Sequence, residues 1–234
     1  MNLQTNLTFT LQVNNQAIAI PADRIVEMFH QLYYAIKDQT WENTYYLGKP
    51  IIKCPLDLWV YQEILYEVKP DLIIETGTFH GGAALYYANV CDILQHGRIL
   101  TIDIDRYSGI TEHPRITYIN GSSLSEAIVR EVAAVVRNKK TILVILDSDH
   151  GYDHVLQELQ IYSRFVTPGS YLIVEDTNVN GHPVRPEWGP GPMEALETFL
   201  QNDNCFEIDA GREKFMLTMN PKGYLKKIRS DGSA

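Results

Sequence analysis

The amino-acid sequence predicts an α/β protein built on a Rossmann-like, doubly wound sheet of seven strands, mostly parallel with an antiparallel edge. Three observations point there. Short apolar runs alternate with helical stretches from residue 72 onward. A glycine-rich turn follows the first run. Acidic residues stand at the ends of the second, fourth and fifth runs.

Taken in order, residues 7–13 alternate apolar and polar side chains, Asn14-Asn15 supplies a turn, and 16–20 alternates again, which reads as a hairpin. From Pro21 the period becomes helical, with Ile25, Val26, Phe29, Leu32, Tyr33 and Ile36 on one face. An aromatic connector (Trp41, Tyr45, Tyr46) with Gly48 and Pro50 leads to a second helix, from Pro55-Leu56-Asp57 to about Val68. Buried parallel strands are expected at 72–75, 99–104, 116–119, 142–146 and 171–174, because such strands are apolar on both faces. Helices are expected between most of them at 82–94, 125–137 and 152–165. A Pro- and Gly-rich loop, 178–192, precedes a helix at 193–200. Runs 205–208 and 215–219 are read as the antiparallel edge pair, and 229–234 as a disordered tail. This divides the chain into an N-terminal cap or dimer contact, 1–54, and one α/β domain, 55–228.

The chain of 234 residues suits one full-sized domain. Its net charge of -9 argues against nucleic acid as a partner, since phosphate binding needs a basic face. Cys54, Cys91 and Cys205 are far apart and form no CxxC pair, which fits a reducing cytoplasm better than a disulfide framework. The sequence shows neither a signal peptide nor an apolar stretch long enough to span a membrane.

The segment Glu75-Thr76-Gly77-Thr78-Phe79-His80-Gly81-Gly82 joins a buried strand to a helix, at the edge of the sheet where ligands of this fold bind. Phe79 stands where the dinucleotide fingerprint needs its second glycine, and no Gly-Lys-Ser/Thr follows, so pyrophosphate is a poor ligand. A phosphate-free cofactor fits better, and the Glu75 carboxylate would favour a cationic one. Asp103, closing the second strand, is placed for ribose hydroxyls, with Asp105 more simply a loop acid. Ser122, in the polar turn after the third strand, is a candidate for the adenine edge. The fourth strand ends in Asp147-Ser148-Asp149-His150 and the fifth in Glu175-Asp176. Parallel neighbours end at one edge, so these acids converge, and their repulsion calls for a cation: Mg²⁺, or else Mn²⁺ or Ca²⁺. Such an ion would lower the pKa of a substrate hydroxyl. His150 is the candidate base, with Asp149 a competitor as base or ligand.

These residues, together with Lys53-Cys54-Pro55-Leu56-Asp57-Leu58, Tyr61-Gln62-Glu63 and Arg212-Glu213-Lys214-Phe215, resemble the cephalosporin hydroxylase and rhamnosyl O-methyltransferase family over about residues 48–224. The resemblance implies a class I methyltransferase fold that binds S-adenosylmethionine on the 75–82 loop. It also implies contacts from Glu75, Thr76, Gly77, Thr78, Gly81, Gly82, Ser122 and Asp147, Asp103 on the ribose, and magnesium on Asp147, Glu175 and Asp176. The spacing from Asp147 to Glu175 is similar to that of catechol-type O-methyltransferases, with His150 in the place of their lysine base. The implied activity is O-methylation of a small hydroxylated acceptor, a sugar or natural product. The family name mentions hydroxylation, but the residues offer no triad of two histidines and a carboxylate for iron.

The loop after the metal acids has the glycines and prolines of a lid, with Trp188 able to stack on a ring and Arg185 able to bind a carboxylate. Two other readings stand beside methyl transfer. Asp147-Ser148-Asp149 resembles the DxD motif of nucleotide-sugar transferases, a reading that leaves the glycine loop idle. The fold can also persist as a catalytically inactive binding module.

Overall fold

The structure is a computed structural model, described for residues 7–230. Most of the expected disordered tail, 231–234, lies outside the described residues.

The chain opens with the expected hairpin, β1 (Thr8–Val13) and β2 (Gln16–Pro21), antiparallel and joined by Asn14 and Asn15 at φ 51° and 61°. Paired left-handed residues match the twist of a two-residue hairpin turn, and asparagine tolerates that conformation well. The hairpin leads into α1 (Ala22–Ala35). The aromatic connector folds into two short 3₁₀ turns and a minimal hairpin, β3 (Tyr45–Tyr46) with β4 (Lys49–Pro50). Then comes α2 (Pro55–Val68), with proline at its first position, where no N–H is needed.

The domain proper follows as β5 (Leu72–Thr76), α3 (Gly82–Ile93), β6 (Ile99–Asp103), β7 (Ile116–Asn120), α4 (Glu126–Val136), β8 (Ile142–Leu146), α5 (Tyr152–Tyr162) and β9 (Tyr171–Val174). It closes with α6 (Pro192–Asn202), β10 (Phe206–Ile208) and β11 (Tyr224–Lys227). The sheet order is β10-β11-β9-β8-β5-β6-β7. β5 to β9 run parallel, and β11 is antiparallel to both β9 and β10. This is the doubly wound seven-stranded sheet expected from the alternation of apolar runs and helices.

Strand residues alternate between two apolar layers. Leu72, Ile74, Val144 and Leu172 face α4, α5 and α6, where Val132, Leu159 and Leu196 are buried. Ile73, Leu143, Ile145 and Ile173 face α2 and α3, against Tyr61, Ile64, Ala84 and Tyr87. Among the described residues no helix is long and apolar enough to cross a membrane.

One expected strand is corrected. Residues 215–219 are not extended: Met216 takes φ 67°, and Leu217 and Met219 pack against Cys54, Tyr33 and Trp41 instead of the sheet. The Met219 N–H donates to Asp57 at the start of α2, at 2.9 Å. The edge pair is completed by β11, whose Lys227 is buried, donates to the Ser163 carbonyl at 3.1 Å and lies over the Phe206 ring.

Candidate active site

The strand order reverses at β5 and β8, the place where a doubly wound sheet opens a crevice. A cleft of about 660 Å³ lies there, bordered by Thr78, Asp103, Ser122, Asp147, His150 and Asp176.

Gly77 ends β5 at φ 88°, and a Cβ on it would sit 1.8 Å from the Asp147 carbonyl oxygen. The glycine is therefore required by the approach of two strand tips, and it would be required even in an empty cleft. Gly82, at the start of α3, is required similarly, since its Cβ would lie 2.1 Å from the Pro50 carbonyl of the connector. Gly81 caps α3 in the left-handed conformation. Thr76 is buried and accepts the Asp147 N–H at 3.0 Å through its carbonyl.

Glu75 lies beneath the loop, fully buried, and does not border the cleft. Its Oε2 accepts from Thr101 at 2.6 Å, and the Thr78 hydroxyl is 2.6 Å from that of Thr101. Its Oε1 has no hydrogen-bond partner. Burial pushes the carboxyl up to about 8, against the pull of Thr101 and Lys53, so it is largely protonated at neutral pH. Asp103 does border the cleft, and both its oxygens are already used: Oδ2 accepts from the Phe79 N–H at 2.8 Å and Oδ1 from the Asp105 N–H at 2.9 Å. It thus ties the glycine loop to β6. Ser122 borders the cleft while accepting from the Leu124 N–H at 3.3 Å.

At the tips of β8 and β9 the structure brings together Asp147, His150 and Asp176, which can each offer one ligand atom, all within 4.8 Å of one another. His150 Nε2 is 3.3 Å from Asp176 Oδ2. Asp176 sits at φ 55°, a conformation that costs a non-glycine residue energy and is concentrated at functional sites. Glu175 stands apart from that trio. Its Oε1 accepts from Lys53 at 2.6 Å and from Tyr61 at 2.7 Å, and Lys53 also donates to Asp147 Oδ2 at 2.8 Å. Tyr61 accepts in turn from Asn220, whose amide oxygen holds the Asp176 N–H. Asp149 is exposed and accepts from the Gly151 N–H at 2.7 Å, starting α5.

Burial raises the carboxyls of Asp147, Glu175 and Asp176 above the usual range, with Lys53 opposing the shift in all three and His150 opposing it in Asp147 and Asp176. Burial works against the charge on Lys53, yet Asp147 and Glu175 hold it well above an ordinary lysine. Three carboxylates thus share the one ammonium of Lys53, and a hard divalent cation fits the carboxylate oxygens of Asp147 and Asp176.

Several members of the site had no assigned role in the sequence reading. Lys53 and Tyr61 stood in a motif, but nothing in their spacing reveals that they reach strands far along the chain. His154 also borders the cleft, with Nε2 3.1 Å from Ser148 Oγ, 3.3 Å from Ser123 Oγ and 3.5 Å from the buried Glu158. The hydrogen bond to Glu158 raises its pKa.

The loop expected to be a lid is braced. Glu194 of α6 accepts from the Gly191 N–H at 2.7 Å and from Asn180 at 3.0 Å, and it pairs with His182 at 2.8 Å. Burial opposes its ionisation, but these partners pull it down to about 2. Trp188 donates to the His150 carbonyl, and the Arg185 guanidinium lies 5.0 Å over the Trp188 ring. Tyr34 stacked on Trp41 closes the cleft from the N-terminal side.

The model of the family described as Rhamnosyl O-methyltransferase/CmcI matches residues 38–228. A rhamnosyl O-methyltransferase of Mycobacterium tuberculosis (strain ATCC 25618 / H37Rv) is 39% identical over 212 residues, covering 88% of this chain and 86% of its own. One of Mycobacterium leprae (strain TN) is 38% identical over 211 residues, covering 88% and 91%. Among solved structures, CmcI with magnesium and S-adenosylmethionine superposes with a TM-score of 0.62 at 18% identity, over 80% of this chain and 78% of its own. The MycE methyltransferase from the mycinamycin biosynthetic pathway, with magnesium and S-adenosylhomocysteine, gives 0.51 at 17% identity, over 74% and 50%. At these identities the two structures show a shared fold, that of the class I methyltransferases.

Proposed function

The chain belongs to the rhamnosyl O-methyltransferase/CmcI family, and from that premise we propose that it moves the methyl group of S-adenosylmethionine to a hydroxyl oxygen of a sugar or natural-product acceptor, assisted by Mg²⁺. The observation that carries the proposal is the meeting of Asp147, His150 and Asp176 beside the glycine loop in one cleft.

In this reading Gly77, Thr78, Asp103 and Ser122 line the cofactor site, while Thr76, Gly81 and Gly82 shape its backbone. Glu75 supports the loop from below. Asp147 and Asp176 would hold the metal, while Glu175, apart from them, anchors Lys53 and Tyr61 behind the site. S-adenosylmethionine supplies an activated methyl group, and Mg²⁺ supplies Lewis-acid stabilisation of the acceptor oxygen.

His150 takes the acceptor's hydroxyl proton on its ring nitrogen, and the Asp176 carboxylate beside it stabilises the imidazolium. The acceptor oxygen forms its bond to the methyl carbon as the sulfur–carbon bond breaks, giving a methyl ether and S-adenosylhomocysteine. Asp149 is less well placed for this role, since it is exposed and committed to the Gly151 N–H. The family match, to methyltransferases, gives a DxD nucleotide-sugar reading no support. Trp188, Arg185, Tyr34 and Trp41 border the remaining space, and their flat faces suit a ring-shaped acceptor.

The test is formation of S-adenosylhomocysteine across a panel of rhamnosyl and other hydroxylated acceptors, with Mg²⁺ and with chelator. Magnesium-dependent turnover on one acceptor class supports the reading. Cofactor binding without product on any acceptor would favour an inactive module of the same fold.

A further inference from the structure

We infer that Lys53 is a resident counter-cation of the acidic cluster and that it restrains how tightly the cluster takes a divalent ion. The inference rests on the metal reading above and concerns a residue with no role there beyond holding carboxylate oxygens.

Lys53 lies two residues before α2, with only 3% of its surface exposed. Its amine bridges one oxygen of Asp147 at 2.8 Å and one oxygen of Glu175 at 2.6 Å. Tyr61 donates to the same Glu175 oxygen at 2.7 Å, and Asn220 fixes Tyr61 at 2.8 Å. All the side-chain hydrogen bonds of these two carboxylates thus fall on Asp147 Oδ2 and Glu175 Oε1. Asp147 thereby keeps a carboxylate oxygen for an ion shared with Asp176 and His150.

Charge counting gives the consequence. The carboxylates of Asp147, Glu175 and Asp176 against the single ammonium of Lys53 leave two formal negative charges, which one divalent cation neutralises. Without Lys53 the cluster would carry three, and attraction for the cation would rise. The occupied site would then keep a negative charge facing the acceptor oxygen, which itself becomes negative as its proton leaves. A buried lysine therefore serves turnover by weakening metal capture. Loss of the bridge also exposes the carboxylates to mutual repulsion, so a metal-free variant must lose stability.

The test uses the full chain and magnesium alone. Calorimetry is run on the wild type, K53M and K53R, alongside melting curves with and without Mg²⁺. K53M is expected to bind Mg²⁺ at least tenfold more tightly than the wild type and to melt lower without the metal. Its melting temperature should rise more on adding Mg²⁺. K53R, which keeps the charge, should stay within about threefold of the wild type in affinity. Equal or weaker binding by K53M would overturn the inference, because Lys53 would then serve only to hold the ligands in place. Should metal-free K53M lack a folded state, circular dichroism is followed as Mg²⁺ is added. Folding restored below the wild-type dissociation constant supports the inference, and a chain still unfolded at saturating Mg²⁺ overturns it. A wild type that takes up no Mg²⁺ would remove the metal reading itself, and this inference with it.

Discussion

Buried ionisable residues in this protein fall on two sides of neutrality, and the sign of each can be read in its pH dependence. Burial raises Glu75 from 4.5 to about 8, so between those values the folded chain keeps a proton that the unfolded chain has released. Stability then falls as pH rises through that window. Asp57, raised by burial from 3.8 to about 7, acts with the same sign. His30, buried against Asn178 and lowered from 6.5 to about 4, acts oppositely, costing stability as pH falls through that range. Glu75→Gln is expected to flatten the decline in melting temperature between pH 6 and 8, and an unchanged slope would mean that Glu75 is ionised in the fold. Asp103→Ala is expected to weaken S-adenosylmethionine binding by about 1–3 kcal/mol, the range for losing hydrogen bonds to a charged group. It also unties Phe79 from β6, so calorimetry should show a less favourable enthalpy. Unchanged affinity would take Asp103 out of the cofactor site.

At the scale of elements, the brace on the 180–191 loop is the feature to test. Glu194→Gln keeps the shape of the side chain but removes the anion that gathers Gly191, Asn180 and His182. Faster hydrogen exchange across that loop and a reduced kcat are expected, with cofactor affinity preserved; exchange confined to α6 would contradict the brace. The helices and the five parallel strands were legible in the sequence because runs such as 142–146 are apolar on both faces, as only a covered strand can be. The last strand was not. Tyr224-Leu225-Lys226-Lys227 reads as half polar, and its pairing depends on Lys227 burying its stem under Phe206. Residues 215–219 misled for the converse reason, since their apolar side chains serve the connector and α2. The acids at the strand ends were legible because parallel strands share an edge. Their partners Lys53 and Tyr61 were not, because no local period links α2 to the tip of β9.

For the molecule as a whole, the family match begins at residue 38, which leaves the hairpin and all of α1 outside it. β1 and β2 are almost wholly exposed, with Phe9, Leu11, Val13 and Ile18 each between 44% and 51% accessible. An isolated two-stranded hairpin is marginal in water, and an uncharged edge of this kind invites pairing. Copies of the chain are therefore expected to associate through this arm, and Leu11→Lys should lower the mass measured by light scattering; an unchanged mass would assign the arm another role. One cleft is expected to hold both the methyl donor and the metal. Bound Mn²⁺, in place of Mg²⁺, broadens the resonances of nearby nuclei, so the proton signal of the S-adenosylmethionine methyl group reports their separation. Strong broadening in the wild type, lost in Asp147→Asn and in Asp176→Asn while the cofactor stays bound, is the result expected here. A sharp methyl signal in the wild type with both ligands bound would contradict it.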